Sequence, residues 1–146
     1  MELAYRAIST RERTVAEVRG FLERKEVATA SIDYALAELA EAGAVDDVRF
    51  ARLFAEDKRL IERWGNERIA RELQRRGVGA DLIEAATADQ DREGEMQVAL
   101  ELLEEKVTAP QTDCERDRAW RMLVRKGYEP DLAYEAVRAR AGQSVG

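Results

Sequence analysis

The stretch that decides the fold runs from residue 46 to residue 78 and reads DDVRFARLFAEDKRLIERWGNERIARELQRRGV. Its two leading acidic residues are typical of a helix N-terminus, where carboxylates cap free N–H groups and face the positive end of the helix dipole. Apolar residues then recur at helical spacing and predict one buried face, made of Phe50, Leu53, Phe54, Ile61 and Trp64. We expect Gly65 to end this helix and Asn66 to cap a shorter helix that closes at Gly77.

The shorter helix has counterparts before and after it. Leu22, Leu73 and Leu123 are separated by 51 and 50 residues, and each is followed two residues later by a pair of basic residues. An alanine stands thirteen residues after each leucine, at positions 35, 86 and 136. This register indicates an internal repeat, because three matched segments at a near-constant period are hard to obtain by chance. We predict three tandem three-helix repeats at residues 1–44, 45–90 and 91–146, forming one continuous array.

Composition and local signals favour an all-α chain without strands. Charged residues make up 37% of the 146 residues, glycine and proline are scarce, and runs of β-branched residues are absent. Thr14 and Glu17 have the spacing of a capping box, which predicts a helix that begins at Val15. Pro130 suits the first position of a last helix. A repeat of this size is marginally stable alone, so neighbouring repeats should share apolar faces.

The formal net charge is −6, so attraction to nucleic acid must come from local patches. Two such patches are arginine stripes with i, i+3, i+7 spacing, at matching repeat positions: Arg68, Arg71 and Arg75, then Arg118, Arg121 and Arg125. Residues 81–105, by contrast, hold nine acidic residues and one arginine. One interpretation is that the stripes contact phosphates or the acidic side chains of a partner. The other is that they are solvated helix faces with local ion pairs.

The sequence offers little for catalysis. It has no histidine and no glycine-rich phosphate loop, and helix capping accounts for Asp46 and Asp47. A single cysteine, Cys114, excludes an internal disulfide, and we interpret it as a small residue near a helix start. No apolar run approaches 18 residues and no signal peptide is evident. We expect a cytoplasmic monomer that is not an enzyme and uses no cofactor, metal or membrane.

Four segments resemble the RecX family, the regulators of the bacterial recombinase RecA. Residues 13–18 (RTVAEV) resemble its Arg-Ser-x-x-Glu-Leu element, and residues 45–51 (VDDVRFA) its Leu-Asp-Asp-x-x-Phe-Ala signature. Residues 65–78 resemble the Gly-x-x-Arg-Ile element that follows, and residues 125–128 (RKGY) the closing Arg-Gly-Phe. The resemblance covers about residues 4 to 139. Glu26 departs from the pattern, since a glycine is common there.

The resemblance implies three three-helix repeats in an elongated, curved molecule. It also implies a regulatory protein that binds the RecA filament on single-stranded DNA and inhibits its ATPase and strand-exchange activities, and so acts in DNA repair, recombination and the SOS response. It supplies no catalytic residues. Two alternatives stay open: a helical-repeat protein that binds DNA directly through the arginine stripes, and a scaffold for an unrelated partner.

Overall fold

The computed structural model describes residues 1–8 and 12–142, and every regular element within these ranges is helical. The α-helices are α1 (Glu2–Ile8), α2 (Val15–Arg24), α3 (Thr29–Glu41), α4 (Asp47–Asp57), α5 (Asn66–Arg75), α6 (Ala80–Ala88), α7 (Arg92–Lys106), α8 (Asp113–Lys126) and α9 (Pro130–Gly142). A π-helical turn, Lys58–Glu62, continues α4. The predicted all-α fold is confirmed, and the nine α-helices of these ranges are consistent with three tandem sets of three.

The helices are divided between two compact units. The first unit contains Met1–Phe54 and Glu72–Ala86, and the second contains Ala55–Arg71 and Thr87–Gly146. The divisions fall within α4, α5 and α6, so each of these helices contributes to both units. The repeat boundaries near residues 44 and 90 stay a prediction from the period of the sequence.

Each unit has its own apolar core. In the first unit α1, α2 and α3 pack together. Their buried residues are Ala4, Ala7, Val18, Leu22, Ile32, Ala35, Leu36 and Leu39. In the second unit α7 and α8 pack against α9. The core residues there are Ala99, Leu102, Leu103, Ala119, Leu123, Tyr128, Leu132, Ala133, Ala136 and Val137. Leu22 and Leu123 belong to these cores, and Leu73 is fully buried as well, which explains the regular spacing of the three leucines that mark the repeat.

The predicted caps form, and one of them acts on another helix. The Thr14 hydroxyl accepts from the Glu17 N–H and the Glu17 carboxylate accepts from the Thr14 N–H, which completes the capping box of α2. Asp46 accepts from the Arg49 N–H at 3.1 Å and caps α4. Asp47 instead accepts from the Val15 N–H at 3.0 Å, so it caps α2. The acidic pair therefore serves two helix N-termini, as capping chemistry allows.

In the first unit the end of α5 packs on the start of α2. The buried Thr14 hydroxyl donates to the Arg76 carbonyl at 2.7 Å, and the Arg76 guanidinium pairs with Glu17 at 2.8 Å. Gly77 lies so close that a Cβ there would stand 2.3 Å from the Cβ of Ala16. The carbonyl end of one helix thus meets the N–H end of another, which satisfies terminal backbone groups and pairs opposite dipole ends.

The same junction recurs in the second unit, between α8 and α5. The Gly65 N–H donates to the Lys126 carbonyl at 2.8 Å, and the Glu67 N–H donates to the Gly127 carbonyl at 3.1 Å. A Cβ on Gly127 would stand 2.3 Å from the Cβ of Arg68. Arg76 and Lys126 hold matching repeat positions, as do Thr14 and Gly65, so the two junctions are consistent with the predicted register.

The region between α4 and α5 differs from the prediction in two ways. The π-helical turn ends at Glu62, and the residue that terminates it is Arg63, with φ 58°, rather than Gly65. Gly65 is needed for another reason, since a Cβ there would lie 2.4 Å from the Gly127 carbonyl oxygen. Asn66 does not cap α5, because its side-chain amide donates to the Thr87 and Gln90 carbonyls instead.

The predicted apolar face of α4 is also wrong in part. Phe50 is buried and stacks on Phe54, whereas Leu53 and Ile61 are exposed. A π-helical turn holds more residues than an α-helical turn, so residues after Asp57 rotate away from the face that an α-helix would give them. Ile61 therefore points to solvent although its sequence spacing places it inside.

Glu26 adopts the left-handed conformation of its glycine counterparts. Its φ is 61°, against 84° at Gly77 and 104° at Gly127. Its side chain is exposed, whereas Gly77 and Gly127 lie against neighbouring helices. The left-handed backbone is disfavoured for a residue with a Cβ, but only at the two glycines does close packing exclude the side chain as well.

We predict that Gly77→Ala and Gly127→Ala each lower the free energy of unfolding by about 2–4 kcal/mol, because backbone strain and a steric clash add. Glu26→Gly is the matched control. It should leave stability unchanged or raise it by up to about 1 kcal/mol, because it relieves strain without any clash. Urea unfolding followed by circular dichroism measures all three. Equal effects at the three sites would contradict the junction packing.

Candidate partner-binding surface

Arg68, the first residue of the α5 stripe, is half-buried and engaged within the protein. Its guanidinium carbon lies 4.1 Å from the centroid of the Trp64 ring, a cation–π distance. The same guanidinium donates to the Arg125 carbonyl at 3.2 Å. Arg68 therefore ties the chain before α5 to the last turn of α8, and its role in this arrangement is structural.

The other two arginines of the α5 stripe are exposed. Arg71 belongs to the second unit, whereas Arg75 belongs to the first. Arg75 forms an ion pair with Glu72, and this hydrogen bond raises the pKa of Arg75. Arg71 thus offers a guanidinium to a partner directly, while Arg75 would have to share its charge with Glu72.

The three arginines of the α8 stripe are all exposed. Arg118 and Arg125 line a cleft of about 480 Å³ together with Lys106, Val107, Met122 and Glu115. Arg121 pairs with Asp117 at 2.6 Å. Lys106 adds a cation that the stripe pattern missed. Its position in the last turn of α7, separated from α8 by a short loop, is the sequence feature that could have indicated it.

The second unit therefore gathers five of the six predicted residues, and Arg68 meets Arg125 there through the latter's carbonyl. Arg71, Arg118 and Arg125 present exposed guanidinium groups, and Arg121 and Arg75 present paired ones. That these residues bind a partner stays a prediction. The arrangement suits contact with phosphates or carboxylates, to which planar guanidinium groups donate in a fixed geometry.

Beside Arg68, the π-helical turn is held by contacts from α7, from α8 and from Tyr128, the second residue after α8. The Lys126 ammonium donates to the Glu62 carbonyl at 3.0 Å, and the Tyr128 hydroxyl donates to the Arg63 carbonyl at 2.8 Å. Arg63 pairs with Glu105 at 2.7 Å, which raises the pKa of Arg63. These contacts hold a backbone conformation that costs free energy at Arg63.

A half-buried polar cluster supports the start of α5. Glu95 accepts from the Asn66 N–H at 3.4 Å, and Arg59 donates to the Asn66 side-chain oxygen at 3.2 Å. Burial raises the pKa of Glu95 and lowers that of Arg59, because it disfavours the charged form of each. Burial also raises the pKa of Tyr128, which keeps its hydroxyl a donor.

Within the described ranges, no group of three or more cysteine, aspartate or glutamate side chains is placed to hold a metal ion. No helix in residues 1–8 and 12–142 combines the length and apolar character needed to cross a membrane. Cys114 is exposed and is the second residue of α8.

Comparisons with known proteins agree on one family. The family model described as "RecX, second three-helix domain" matches residues 46–86. The regulatory protein RecX of Amycolatopsis mediterranei is 30% identical over 140 residues, which cover 94% of this chain and 80% of that protein. The regulatory protein RecX of Deinococcus radiodurans is 36% identical over 136 residues, and the match spans 92% of this chain but 65% of that relative's length.

Solved structures support the fold. The crystal structure of RecX from Lactobacillus salivarius has a TM-score of 0.84 and 16% identity, and the match covers 97% of this chain and 94% of that chain. A second structure, of a regulatory protein RecX, has a TM-score of 0.77 and 17% identity. At these identities the likeness establishes the arrangement of helices alone.

We predict that Arg68→Ala lowers the free energy of unfolding by about 1–2 kcal/mol, because it removes a cation–π contact and a hydrogen bond. Arg71→Ala, one turn along the same helix, is the control and should change stability by less than about 0.5 kcal/mol. Thermal unfolding of both variants measures the difference. Equal melting temperatures would show that Arg68 has no structural role.

The raised pKa of Glu95 predicts that the stability of the fold depends on pH. Its pKa is raised in the folded state, so its favourable contribution is complete below the ordinary value of 4.5 and is lost as pH rises through the raised value. Glu95→Gln should remove this loss, so the variant should gain stability relative to the original protein between pH 5 and 7.5. Urea midpoints across this range measure the trend, with the exposed Glu93→Gln as control. Parallel pH profiles for the Glu95 variant and the original would contradict the assignment.

Proposed function

Because this chain belongs to the RecX family of regulatory proteins, we propose that it binds the filament that RecA forms on single-stranded DNA and inhibits the ATPase and strand-exchange activities of that filament. In this proposal it is a non-enzymatic, cytoplasmic regulator of DNA repair, recombination and the SOS response, and it acts as a monomer. The observation that carries the proposal is similarity to RecX proteins along nearly the whole chain.

The exposed arginines of the second unit support the contact part of this proposal. Arg71, Arg118 and Arg125 are exposed guanidinium groups on a chain whose net charge is −6. Exposed charges add little to folding stability, about 0–1 kcal/mol per pair, but they strongly affect association with a charged partner. Arg68 is left out of the proposed contact set because its guanidinium already contacts Trp64 and Arg125.

A filament suits this charge distribution better than bare DNA does. A chain at −6 is repelled by naked phosphates at long range, and the acidic stretch 81–105 adds to the repulsion. A filament offers repeated protein surface together with a DNA backbone, so several weak contacts combine in one binding event. The proposal therefore includes a preference for recombinase-coated strands.

Direct binding to DNA is the second candidate, and the exposed stripes favour it. Five arginines on single-stranded phosphates would make the logarithm of affinity fall against the logarithm of salt with a slope of about −3.5, at about −0.7 per contact. Such binding should be weak at physiological salt because the net charge of −6 opposes it and because the guanidinium of Arg68 already lies against the ring of Trp64, the aromatic residue next to the α5 stripe.

The test is a RecA ATPase assay on single-stranded DNA with the original protein and two triple variants. We expect inhibition by the original protein. Arg71→Glu, Arg118→Glu and Arg125→Glu together should raise the concentration for half-inhibition at least tenfold. Arg52→Glu, Arg92→Glu and Arg138→Glu together carry the same net charge on other exposed arginines and should retain most inhibition. Equal loss in both variants would attribute the effect to net charge.

Fluorescence anisotropy separates the two candidates. A labelled oligonucleotide is titrated near 0.15 M salt, with and without RecA and nucleotide. The filament proposal expects tighter binding to the coated strand, and binding that is equal or tighter on the bare strand would favour the direct DNA-binding alternative.

A further inference from the structure

A cleft of about 480 Å³ lies between the end of α7 and α8, within the second unit. Its volume is within the usual range of ligand pockets, about 300–1,000 Å³. Three of its lining side chains are cationic, Lys106, Arg118 and Arg125, and one is acidic, Glu115. This α7–α8 cleft is therefore positively charged, although the whole chain carries a net charge of −6.

The three cations of the α7–α8 cleft have no counter-charge of their own. All three are exposed, and none pairs with a carboxylate among residues 1–8 and 12–142. Glu115 accepts from the Gln111 N–H at 2.9 Å, so the loop before α8 engages one of its oxygens. Like charges that share one cleft repel each other, and an anionic ligand offsets this repulsion.

The acidic side chains of the adjoining turns do not neutralise the cleft. Glu105 pairs with Arg63, and Asp117 pairs with Arg121. Glu104 stands two residues before the lysine of the cleft, and side chains at this spacing do not face each other on a helix. The charge that meets an incoming group is thus set by the three cations and the single acid that line the cleft.

Helix α5 shows how such a cation can be satisfied within the protein. There Arg75 pairs with Glu72, three residues before it. At the matching positions of α8, fifty residues later, Arg125 has Met122 in the place of Glu72. Helix α8 therefore presents an apolar side chain where α5 presents the counter-ion, and the guanidinium of Arg125 stays available to a ligand.

The surface between the charged groups of the cleft is apolar. Val107, Ala119 and Met122 line it, and the two larger side chains are half-buried, so they present carbon and sulfur to a ligand. Methionine fits differently shaped partners because its side chain is flexible and polarizable. None of the described residues that line the cleft is aromatic, so a base finds no ring to stack on. A matching ligand therefore combines negative charge with an apolar side chain.

We propose that the α7–α8 cleft binds an acidic peptide segment of the filament protein. One large apolar side chain of that segment packs on Val107 and Met122, and neighbouring carboxylates accept from Lys106, Arg118 and Arg125. This inference rests on the proposed function and deepens it, because it assigns the cationic residues of the cleft to protein rather than to DNA. An apolar contact surrounded by charged hydrogen bonds is the common anatomy of protein interfaces.

Peptides and nucleic acids differ in what they bring to such a cleft. An acidic peptide carries carboxylates and apolar side chains side by side, so it satisfies the cations and the apolar surface together. A single DNA strand brings a phosphate with every nucleotide, but its bases need aromatic stacking partners, and the carboxylate of Glu115 repels phosphate. The cleft therefore favours the protein component of the filament.

The first test compares Lys106→Glu with Arg138→Glu. Both residues are exposed in the second unit and both substitutions change the net charge equally, but only Lys106 lines the cleft. Lys106→Glu should raise the concentration for half-inhibition of the RecA ATPase at least fivefold, whereas Arg138→Glu should inhibit like the original protein. Circular dichroism checks that both variants are folded. Equal inhibition by the two folded variants would refute the proposed role of the cleft.

Met122→Gln separates a peptide contact from a phosphate contact, because it keeps the charge and removes apolar surface. It should weaken inhibition at least threefold and leave binding to a bare oligonucleotide at low salt unchanged, while Met122→Leu should inhibit like the original protein. Suppose instead that Lys106→Glu weakens binding to the bare oligonucleotide as much as binding to the filament, and that Met122→Gln weakens neither. The cleft would then bind phosphates, and the peptide contact would be refuted.

Photocrosslinking identifies the occupant of the cleft directly. The photoreactive residue p-benzoylphenylalanine replaces Thr108, an exposed residue of the cleft, and in a control it replaces the exposed Tyr134 outside the cleft. After irradiation on the assembled filament, mass spectrometry should find the first protein, and not the control, joined to a RecA segment that has carboxylates beside a large apolar residue.

The possible failures are distinguishable. Crosslinks to DNA, crosslinks to a RecA segment without acidic residues, or an absence of crosslinks while the protein still inhibits would each refute the peptide contact and leave the proposed function standing. If the original protein neither binds the filament nor inhibits its ATPase, the proposed function and this inference both fail.

Discussion

The structure depends on a contact between helix ends that is used twice. The last turn of α5 lies on the first turn of α2, and the last turn of α8 lies on the first turn of α5. Carbonyl groups that a helix C-terminus leaves unpaired are satisfied at each junction by donors from a helix N-terminus, as between Lys126 and Gly65. Contact this close excludes side chains, and this requirement explains the glycines at positions 65, 77 and 127.

Features set by local chemistry could be predicted from the sequence. The capping box at Thr14, the first position of the last helix at Pro130 and the termination at Gly77 depend on residues within one helical turn of each other. The three-fold register could also be predicted, because the leucine at the centre of each repeat must enter a core and cannot drift. These local signals are present in the sequence whatever packs against the helix.

Features set by distant contacts could not be predicted from the sequence. The position of Asp47 predicts a cap for its own helix, but its carboxylate accepts a hydrogen bond from the Val15 N–H, 32 residues earlier in the chain. Arg68 belongs to a regular stripe, but Trp64 and the carbonyl of Arg125 engage its guanidinium. The π-helical turn is the clearest case. Nothing in the local spacing distinguishes it from an α-helix, and its supports come from Lys126 and Tyr128, more than 60 residues away.

The same distinction bears on function. An arginine stripe is visible in sequence because charge pattern is local, but sequence cannot separate a guanidinium that holds the fold from one that is available to a partner. The contacts in the structure distinguish the two: the guanidinium of Arg68 packs on Trp64, whereas Arg71 is exposed. For Ile61 packing works in the opposite direction, because it turns an apparent core residue outward. Residues whose exposure contradicts their sequence pattern are therefore where the structure adds most to a functional argument, since local folding preferences do not account for their position.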